Sequence, residues 1–113
     1  MENIAIAQEL FELGLTAMNE QRFGDAEQSF RRSLQHCPER ISTKLNLATA
    51  LIHQQSEVEA LELIKTLLCS VPTNPHVHRL FGVIQSKMGK LSEAIASFEA
   101  ALALEPDNVS VLN

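Results

Sequence analysis

Residues 14–38 read GLTAMNEQRFGDAEQSFRRSLQHCP, and this stretch decides the fold because its pattern occurs three times. Gly14 is followed by Ala26 twelve residues later, by Phe30 four residues after that, and by Pro38 after eight more. The same columns return twice at one constant interval, as Ala48, Ala60, Ile64 and Pro72 and as Gly82, Ala94, Phe98 and Pro106. Four columns that share one interval are hard to produce by chance, so the sequence predicts three repeated units.

The predicted units span residues 7–40, 41–74 and 75–108, with residues 1–6 before them and 109–113 after them. Within each unit, apolar and small residues recur at intervals of three and four, which is the helical period, in two separate runs. In the first unit these runs are Leu10, Leu13, Ala17 and Met18, and then Ala26, Phe30, Ser33 and Leu34. No window alternates apolar and polar residues long enough to indicate a strand. We therefore predict an all-α fold of six helices, each of about 13 residues.

The predicted helix boundaries have local causes. Ser56 and Glu59 have the spacing of a capping box that opens the second helix of the second unit. Thr73 and Asn74 are candidate N-caps, and Pro75 suits the first helical turn because its missing N–H is not needed there. The repeated prolines follow the second helices, since a residue before proline leaves the helical region.

Composition narrows the class of protein. The 113 residues are 45% hydrophobic and 20% charged, which excludes a disordered chain and fits one small domain. Nine Lys and Arg against 14 Asp and Glu give a net charge of −5, which argues against a nucleic-acid partner. Two cysteines do not make a disulfide framework, and no basic leader or long apolar segment is visible. We expect a soluble cytoplasmic protein with no membrane partner.

The residue types that carry chemistry are not grouped. Cys37 lies at the end of a predicted helix, and Cys69 falls on an outward position of another. His76 and His78 are two residues apart, so on a helix they point about 200° away from each other. The glycines are not clustered into a phosphate-binding loop. We therefore expect no catalytic residue, no metal site and no cofactor.

The columns resemble the tetratricopeptide repeat, whose 34-residue pattern is W-x2-L-G-x2-Y…A-x3-F…P. The L-G columns are Leu13-Gly14, Leu47-Ala48 and Phe81-Gly82, while the Trp and Tyr columns hold other residues. The resemblance implies one domain over residues 1–113, in which three tandem helix-turn-helix repeats form a right-handed α-solenoid. It also implies a protein–protein interaction scaffold whose first helices line a concave face.

The family's pattern places a partner-binding groove on that face. Its predicted residues are Phe11, Leu15, Met18, Leu45, Asn46, Thr49, Ile52, Arg79, Leu80, Val83 and Lys87. The centre would be apolar, and Asn46, Arg79 and Lys87 would contact the backbone or acidic side chains of a peptide or helix. An apolar patch on a soluble surface indicates a docking site. The alternative is that these residues pack on one another.

One ligand class can be tested on the residues. Co-chaperones of the family clamp the C-terminal carboxylate of heat-shock chaperones with Lys, Asn and Arg side chains from three repeats. The corresponding positions here are Phe11, Leu15, Asn46, His76 and Leu80. Only Asn46 matches, so the sequence predicts that this clamp is absent.

Two other functions stay open on the sequence alone. The chain could be the N-terminal repeat module of a larger bacterial enzyme, such as a glycosyltransferase or sulfotransferase chain, or an oligomerisation unit. Residues 109–113 read as the opening of a further, truncated helix, so we expect the native chain to continue beyond Asn113. The last helix pair should then expose Ile95, Phe98, Leu102 and Leu104. We expect self-association through this C-terminal end at high concentration.

Overall fold

A computed structural model describes residues 2–105 of the protein. The helices are α1 (Glu2–Asn19), α2 (Phe23–His36), α3 (Ile41–His53), α4 (Glu57–Ser70), α5 (Pro75–Lys87) and α6 (Leu91–Leu104). No strand occurs between residues 2 and 105, so the prediction of an all-α helical repeat is confirmed for this range. None of these helices is long and apolar enough to cross a membrane. The expectations for Pro106 and for residues 109–113 lie outside the described residues.

The first helix is longer than the sequence predicted. Helices α2 to α6 have 13 or 14 residues, but α1 has 18 because it begins at Glu2 and not near residue 7. Ile4 and Ile6 in this added turn are exposed, whereas Ala7 is fully buried. The apolar periodicity reports burial and so begins only at Ala7, while the backbone hydrogen bonds of the helix begin earlier.

The chain divides into two compact units, an N-terminal unit of residues 1–60 and a C-terminal unit of residues 61–113. In the N-terminal unit α1 packs against α2, and α2 packs against α3. In the C-terminal unit α5 packs against α6. The largest fully buried side chains are Phe30 and Leu51 in the first unit and Ile64, Leu67 and Ile84 in the second. Of these side chains, Phe30 and Ile64 belong to the same repeated column.

The small-residue column is a steric requirement at Gly14 and Gly82, because a phenylalanine ring packs against each of them. A Cβ atom added at Gly14 would overlap the ring of Phe30, which is fully buried. A Cβ added at Gly82 would lie 2.8 Å from the ring of Phe98, the equivalent residue of the third unit. These two glycines therefore leave room for phenylalanine rings.

The turn inside each repeat has a left-handed residue at the same position. Gln21, Gln55 and Gly89, which are equivalent residues of the three repeats, have φ angles of 61°, 64° and 81°. In each turn the following residue donates its N–H to the carbonyl five positions back, at 2.8 to 2.9 Å. This is the Schellman pattern of helix termination, in which glycine is preferred. Gly24, by contrast, lies inside α2.

These conformations predict opposite effects for alanine at two glycines. Gly89→Ala should cost about 1–2 kcal/mol, because a left-handed residue with a Cβ is strained. Gly24→Ala should stabilise the protein by about 0.5–1 kcal/mol, because this exposed glycine is in a helix and an added Cβ would make only an ordinary contact, 3.6 Å from the Gln54 Oε1 atom. Gln55→Gly should also stabilise it, by relieving strain. Urea unfolding measures all three, and a neutral Gly89→Ala would contradict the account.

The helix starts follow the predicted caps. The Asn74 side chain accepts a hydrogen bond from the His76 N–H at 2.9 Å, with Pro75 as the first residue of α5. Ser56 directly precedes α4, as predicted. The Glu59 carboxylate, however, forms an ion pair with Arg31. The boundary was therefore predicted correctly, but Glu59 also links α4 to α2 within the N-terminal unit.

Two outer faces expose residues that belong to the repeated columns. Leu13 is 59% exposed, whereas Leu47, its equivalent in the second repeat, is 4% exposed. On α6, Ile95, Leu102 and Leu104 are exposed, as the sequence predicted for the last helix pair. Phe98 is half-buried, although its equivalents Phe30 and Ile64 are fully buried.

Candidate functional site

The N-terminal unit contains a surface cleft of about 660 Å³. Its lining residues come from α1, from α3, from the turn after α1 and from the first residue of α2: Leu15, Met18, Asn19, Asn46, His53, Gln21 and Phe23. Leu15, Met18 and Asn46 are three of the predicted groove residues, and the structure brings them together. A cleft of this size falls within the range of ordinary ligand pockets.

An aromatic pair forms one wall of the cleft. The rings of Phe23 and His53 are parallel, with an interplanar angle of 5° and a centroid distance of 4.3 Å. Phe23 is half-buried at the start of α2, and His53 is exposed at the end of α3. The sequence did not identify Phe23 or Gln21, because it assigned the groove to first helices only. This wall gives an extended apolar surface next to Leu15 and Met18.

The polar groups of the cleft are partly committed to the protein. The Asn46 amide nitrogen donates to the Ser42 carbonyl at 2.8 Å, so the amide oxygen is the part of Asn46 suited to accept a bond from a ligand. The Thr49 hydroxyl, predicted to lie in the groove, donates to the Leu45 carbonyl at 3.0 Å. Both Thr49 and Leu45 are half-buried. The cleft therefore combines the apolar side chains of Leu15, Met18 and Phe23 with polar side chains from four further residues: Asn19, Gln21, Asn46 and His53.

Two residues predicted for the centre of the groove are buried. Ile52 is 5% exposed and Leu80 is 8% exposed, so neither offers an exposed contact surface. Phe11 is half-buried, and its ring lies 5.9 Å from the ring of Phe30. The Arg40 guanidinium lies 5.6 Å from the centroid of the same Phe11 ring. These side chains support the fold, since helix packing and a cation–π contact take up their surfaces.

The C-terminal unit holds the remaining predicted groove residues. Arg79 and Lys87 are exposed and Val83 is half-buried, all on α5. Arg79 lines a depression of about 240 Å³ between α5 and α6. The other residues of this depression are Pro75, Phe98, Ala101, Leu102 and Glu105. Arg79 therefore lines a surface that it shares with side chains of α6.

A hydrogen-bond network supports the aromatic wall. The Gln54 side chain, next to His53, donates to the Glu27 carboxylate at 2.8 Å, and Arg31 donates to the same carboxylate at 2.8 Å. Partial burial is the largest influence on the pKa of Glu27 and raises it, but the bonds from Arg31 and Gln54 together lower it below its ordinary value. The network joins the end of α3 to α2, which carries Phe23.

The direction of this shift predicts how stability depends on pH. Ionised Glu27 contributes stability that is fully present above the ordinary glutamate pKa of about 4.3 and is lost as the pH falls through the lower folded pKa. Glu27→Gln should therefore destabilise the protein at pH 7, and the difference from the wild type should shrink towards pH 3. Thermal melts across this range measure it, and a difference independent of pH would contradict the assignment.

The titratable residues do not form a reactive group in the part of the chain that is described. No cluster of three or more His, Cys, Asp or Glu side chains that could hold a metal is found between residues 2 and 105. The His78 Nε2 atom lies 2.7 Å from the Pro72 carbonyl oxygen, and His76 is exposed. Cys37 and Cys69 are free thiols. The arrangement of side chains around the cleft is suited to binding.

Comparison with known families identifies the repeat. Tetratricopeptide repeat models match residues 17–83 and residues 80–108. The chain is 33% identical over 89 residues to the CTR9 homologue of Arabidopsis thaliana, covering 78% of this chain. It is 30% identical over 104 residues to the O-mannosyl-transferase Tmtc3 of Drosophila melanogaster, covering 91% of this chain. The matched regions span 8% and 11% of those two proteins.

Solved structures show the same fold. The tetratricopeptide repeat domain of Arabidopsis OM64 superposes with a TM-score of 0.85 at 19% identity, covering 93% of this chain and 87% of that one. The first such domain of Spaghetti (RPAP3), bound to the HSP90 peptide SRMEEVD, gives a TM-score of 0.82 at 19% identity, with 91% and 82% of the two chains covered. At these identities the likeness concerns the fold alone.

Proposed function

We propose that this chain, which belongs to the tetratricopeptide repeat family, is a non-catalytic scaffold that binds a peptide or helix of a partner protein in the cleft of its N-terminal unit. The observation that carries the proposal is the combination of Leu15 and Met18 with the parallel rings of Phe23 and His53 in one cleft. Proteins that recognise peptides use such apolar grooves to seat anchor side chains.

The cleft favours a ligand with bulky apolar anchors. Leu15, Met18 and the aromatic wall offer contacts to aliphatic or aromatic side chains, and methionine adapts well to different shapes. The Asn46 amide oxygen can accept an N–H from the backbone of an extended segment or from the first turn of a helix. A peptide without an apolar anchor would leave Leu15, Met18 and Phe23 without contacts.

We propose that the ligand differs from the acidic tail bound by one structural neighbour. RPAP3 is seen with the peptide SRMEEVD. The chain carries Phe11, Leu15, His76 and Leu80 at four of the five positions of the carboxylate clamp, and Leu80 is buried. Phe11, Leu15 and Leu80 have no group that can pair with a carboxylate, which leaves Asn46 and His76 as the hydrogen-bonding side chains among the five positions. A peptide ending in Glu-Glu-Val-Asp is therefore the natural negative control.

The proposal is tested by selecting ligands from a random library, which requires no assumption about the partner. A library of random 12-residue peptides displayed on phage is enriched on the wild-type protein, and one enriched peptide is synthesised for calorimetry. The proposal expects enriched sequences with at least two bulky apolar residues and saturable binding. Enrichment of acidic C-terminal sequences, or of none, would contradict it.

A second candidate function is that of a repeat module within a larger protein. The match to Tmtc3 favours it, because similarity extends over 91% of this chain but over only 11% of that protein. In this case the cleft would bind a substrate or partner of the attached domain. The reading frame of the native gene on both sides of the sequence decides between the two. The proposed compartment is the cytoplasm, consistent with two free thiols.

A further inference from the structure

Two apolar faces of the molecule are not part of the cleft. The N-terminal face lies on α1 and consists of Ile6, Glu9, Glu12 and Leu13; Glu9, Glu12 and Leu13 line a shallow depression together with Thr16. The C-terminal face consists of Arg79, Ile95, Phe98 and Leu102 on α5 and α6. Ile6, Leu13, Ile95 and Leu102 are between 40% and 59% exposed. Exposed large apolar side chains at this density indicate an interaction surface.

We propose that these two faces bind each other in separate copies of the chain, so that the protein associates head to tail. The occupant of the C-terminal face is the α1 helix of a second copy. This inference goes beyond peptide binding, because it uses none of the residues that line the cleft.

The repeat itself supports this choice of occupant. Leu13 on the N-terminal face is equivalent to Leu47 on α3. Leu47 is buried, and α3 packs against α2. Phe98 on the C-terminal face is equivalent to Phe30 on α2, and Phe30 is fully buried. The two faces therefore carry residue types that are buried at the equivalent positions of the N-terminal unit. A repeat array buries its surface by stacking equivalent elements, so a second copy presents the appropriate complement.

Charge supports the same pairing. The N-terminal face carries Glu9 and Glu12, and the Glu12 carboxylate is contacted by Gln8, which is neutral. The C-terminal depression carries Arg79 beside Phe98 and Leu102, together with Glu105. Among residues 2–105, no ion pair involves Arg79, Glu9 or Glu12. Arg79 has the sign to pair with Glu9 or Glu12 of a second copy, while Glu105 balances its charge on the C-terminal face, so this pair sets orientation more than affinity.

A head-to-tail contact has a consequence that a symmetric dimer lacks. Each pair of copies leaves one N-terminal face and one C-terminal face open, so association continues to a ring or an open filament. A single change on either face removes self-association. Two different single-face variants can still pair with each other, but only once.

The test uses sedimentation velocity on the full chain from 5 to 500 µM. Wild type should show average mass rising with concentration, while Leu13→Glu and Leu102→Glu should each remain monomeric. An equimolar mixture of the two variants should form a dimer and stop there. Both sites are exposed, and circular dichroism melts verify that the variants are folded.

The outcomes separate the proposal from its alternatives. A wild type that is monomeric at 500 µM would overturn it and would leave the C-terminal face to a following segment of a longer chain. Self-association that survives Leu13→Glu would overturn it in favour of a symmetric contact between C-terminal faces. Glu9→Arg and Arg79→Glu should each weaken association, and mixing these two variants should restore part of it. Failure of this rescue would contradict the proposed contact between the N-terminal face of one copy and the C-terminal face of another.

Discussion

Gly14→Ala is expected to lower the free energy of unfolding by about 3 kcal/mol, at the upper end of the range for overpacked cores. The added Cβ would overlap the ring of Phe30, which is fully buried. That ring is also in contact with Phe11, at a centroid distance of 5.9 Å, so it has little freedom to move away. Chemical denaturation measures the loss directly.

Gly82→Ala is the matched control and should cost less, about 1 kcal/mol. A Cβ added at Gly82 would lie 2.8 Å from the Phe98 ring, but Phe98 is half-buried at an open depression and can shift. Phe30→Leu should rescue part of the Gly14→Ala loss, because a smaller side chain relieves the overlap. Equal costs at the two glycines, or fully additive effects of the Gly14 and Phe30 changes, would show that the overlap is not the cause.

Leu15→Glu is expected to weaken binding of a selected peptide at least about 30-fold, which corresponds to the roughly 2 kcal/mol typical of a binding hot spot. The change places a charge beside the apolar side chains of Met18 and Phe23, where a bound peptide would exclude its water. Met18→Glu should act in the same way. Calorimetry with the peptide enriched on the wild-type protein measures both.

Leu13→Glu is the matched control for this effect. It introduces the same charge on the same helix, but Leu13 is exposed and outside the cleft, so peptide affinity should be unchanged at low protein concentration. A folded Leu15→Glu variant with wild-type affinity would place the binding site elsewhere. Equal losses for Leu13→Glu and Leu15→Glu would point to a general charge effect.

The fold could be predicted because its causes are local and repeated. The contact between the two helices of the first repeat is set by Gly14 and Phe30, and the end of its second helix is set by Pro38. Each of these residues has a counterpart in both later repeats. The left-handed turns were harder to recognise. Glycine is the residue expected at such a position, but only the third repeat has it, at Gly89, while the first two repeats have Gln21 and Gln55. Here the Schellman hydrogen bonds impose a conformation that the residue type does not favour.

The candidate site was predicted less completely because burial depends on neighbours that a repeat pattern does not distinguish. Leu13 and Leu47 share one column, yet one is exposed and the other buried. Ile52 and Leu80 were assigned to the groove by position, but they are buried. Phe23 and His53 lie in different repeats, and nothing in their spacing indicates that their rings are parallel.

The central claim, that the cleft of the N-terminal unit binds a peptide, is tested most directly by NMR. The selected peptide is titrated into isotope-labelled wild-type protein, and amide and methyl shifts are followed. The account predicts the largest changes at Leu15, Met18, Asn46 and His53, with the Phe23 ring signals moving at the same peptide concentration. Shifts confined to α5 and α6, with the signals of Leu15 and Met18 unmoved at saturation, would contradict it.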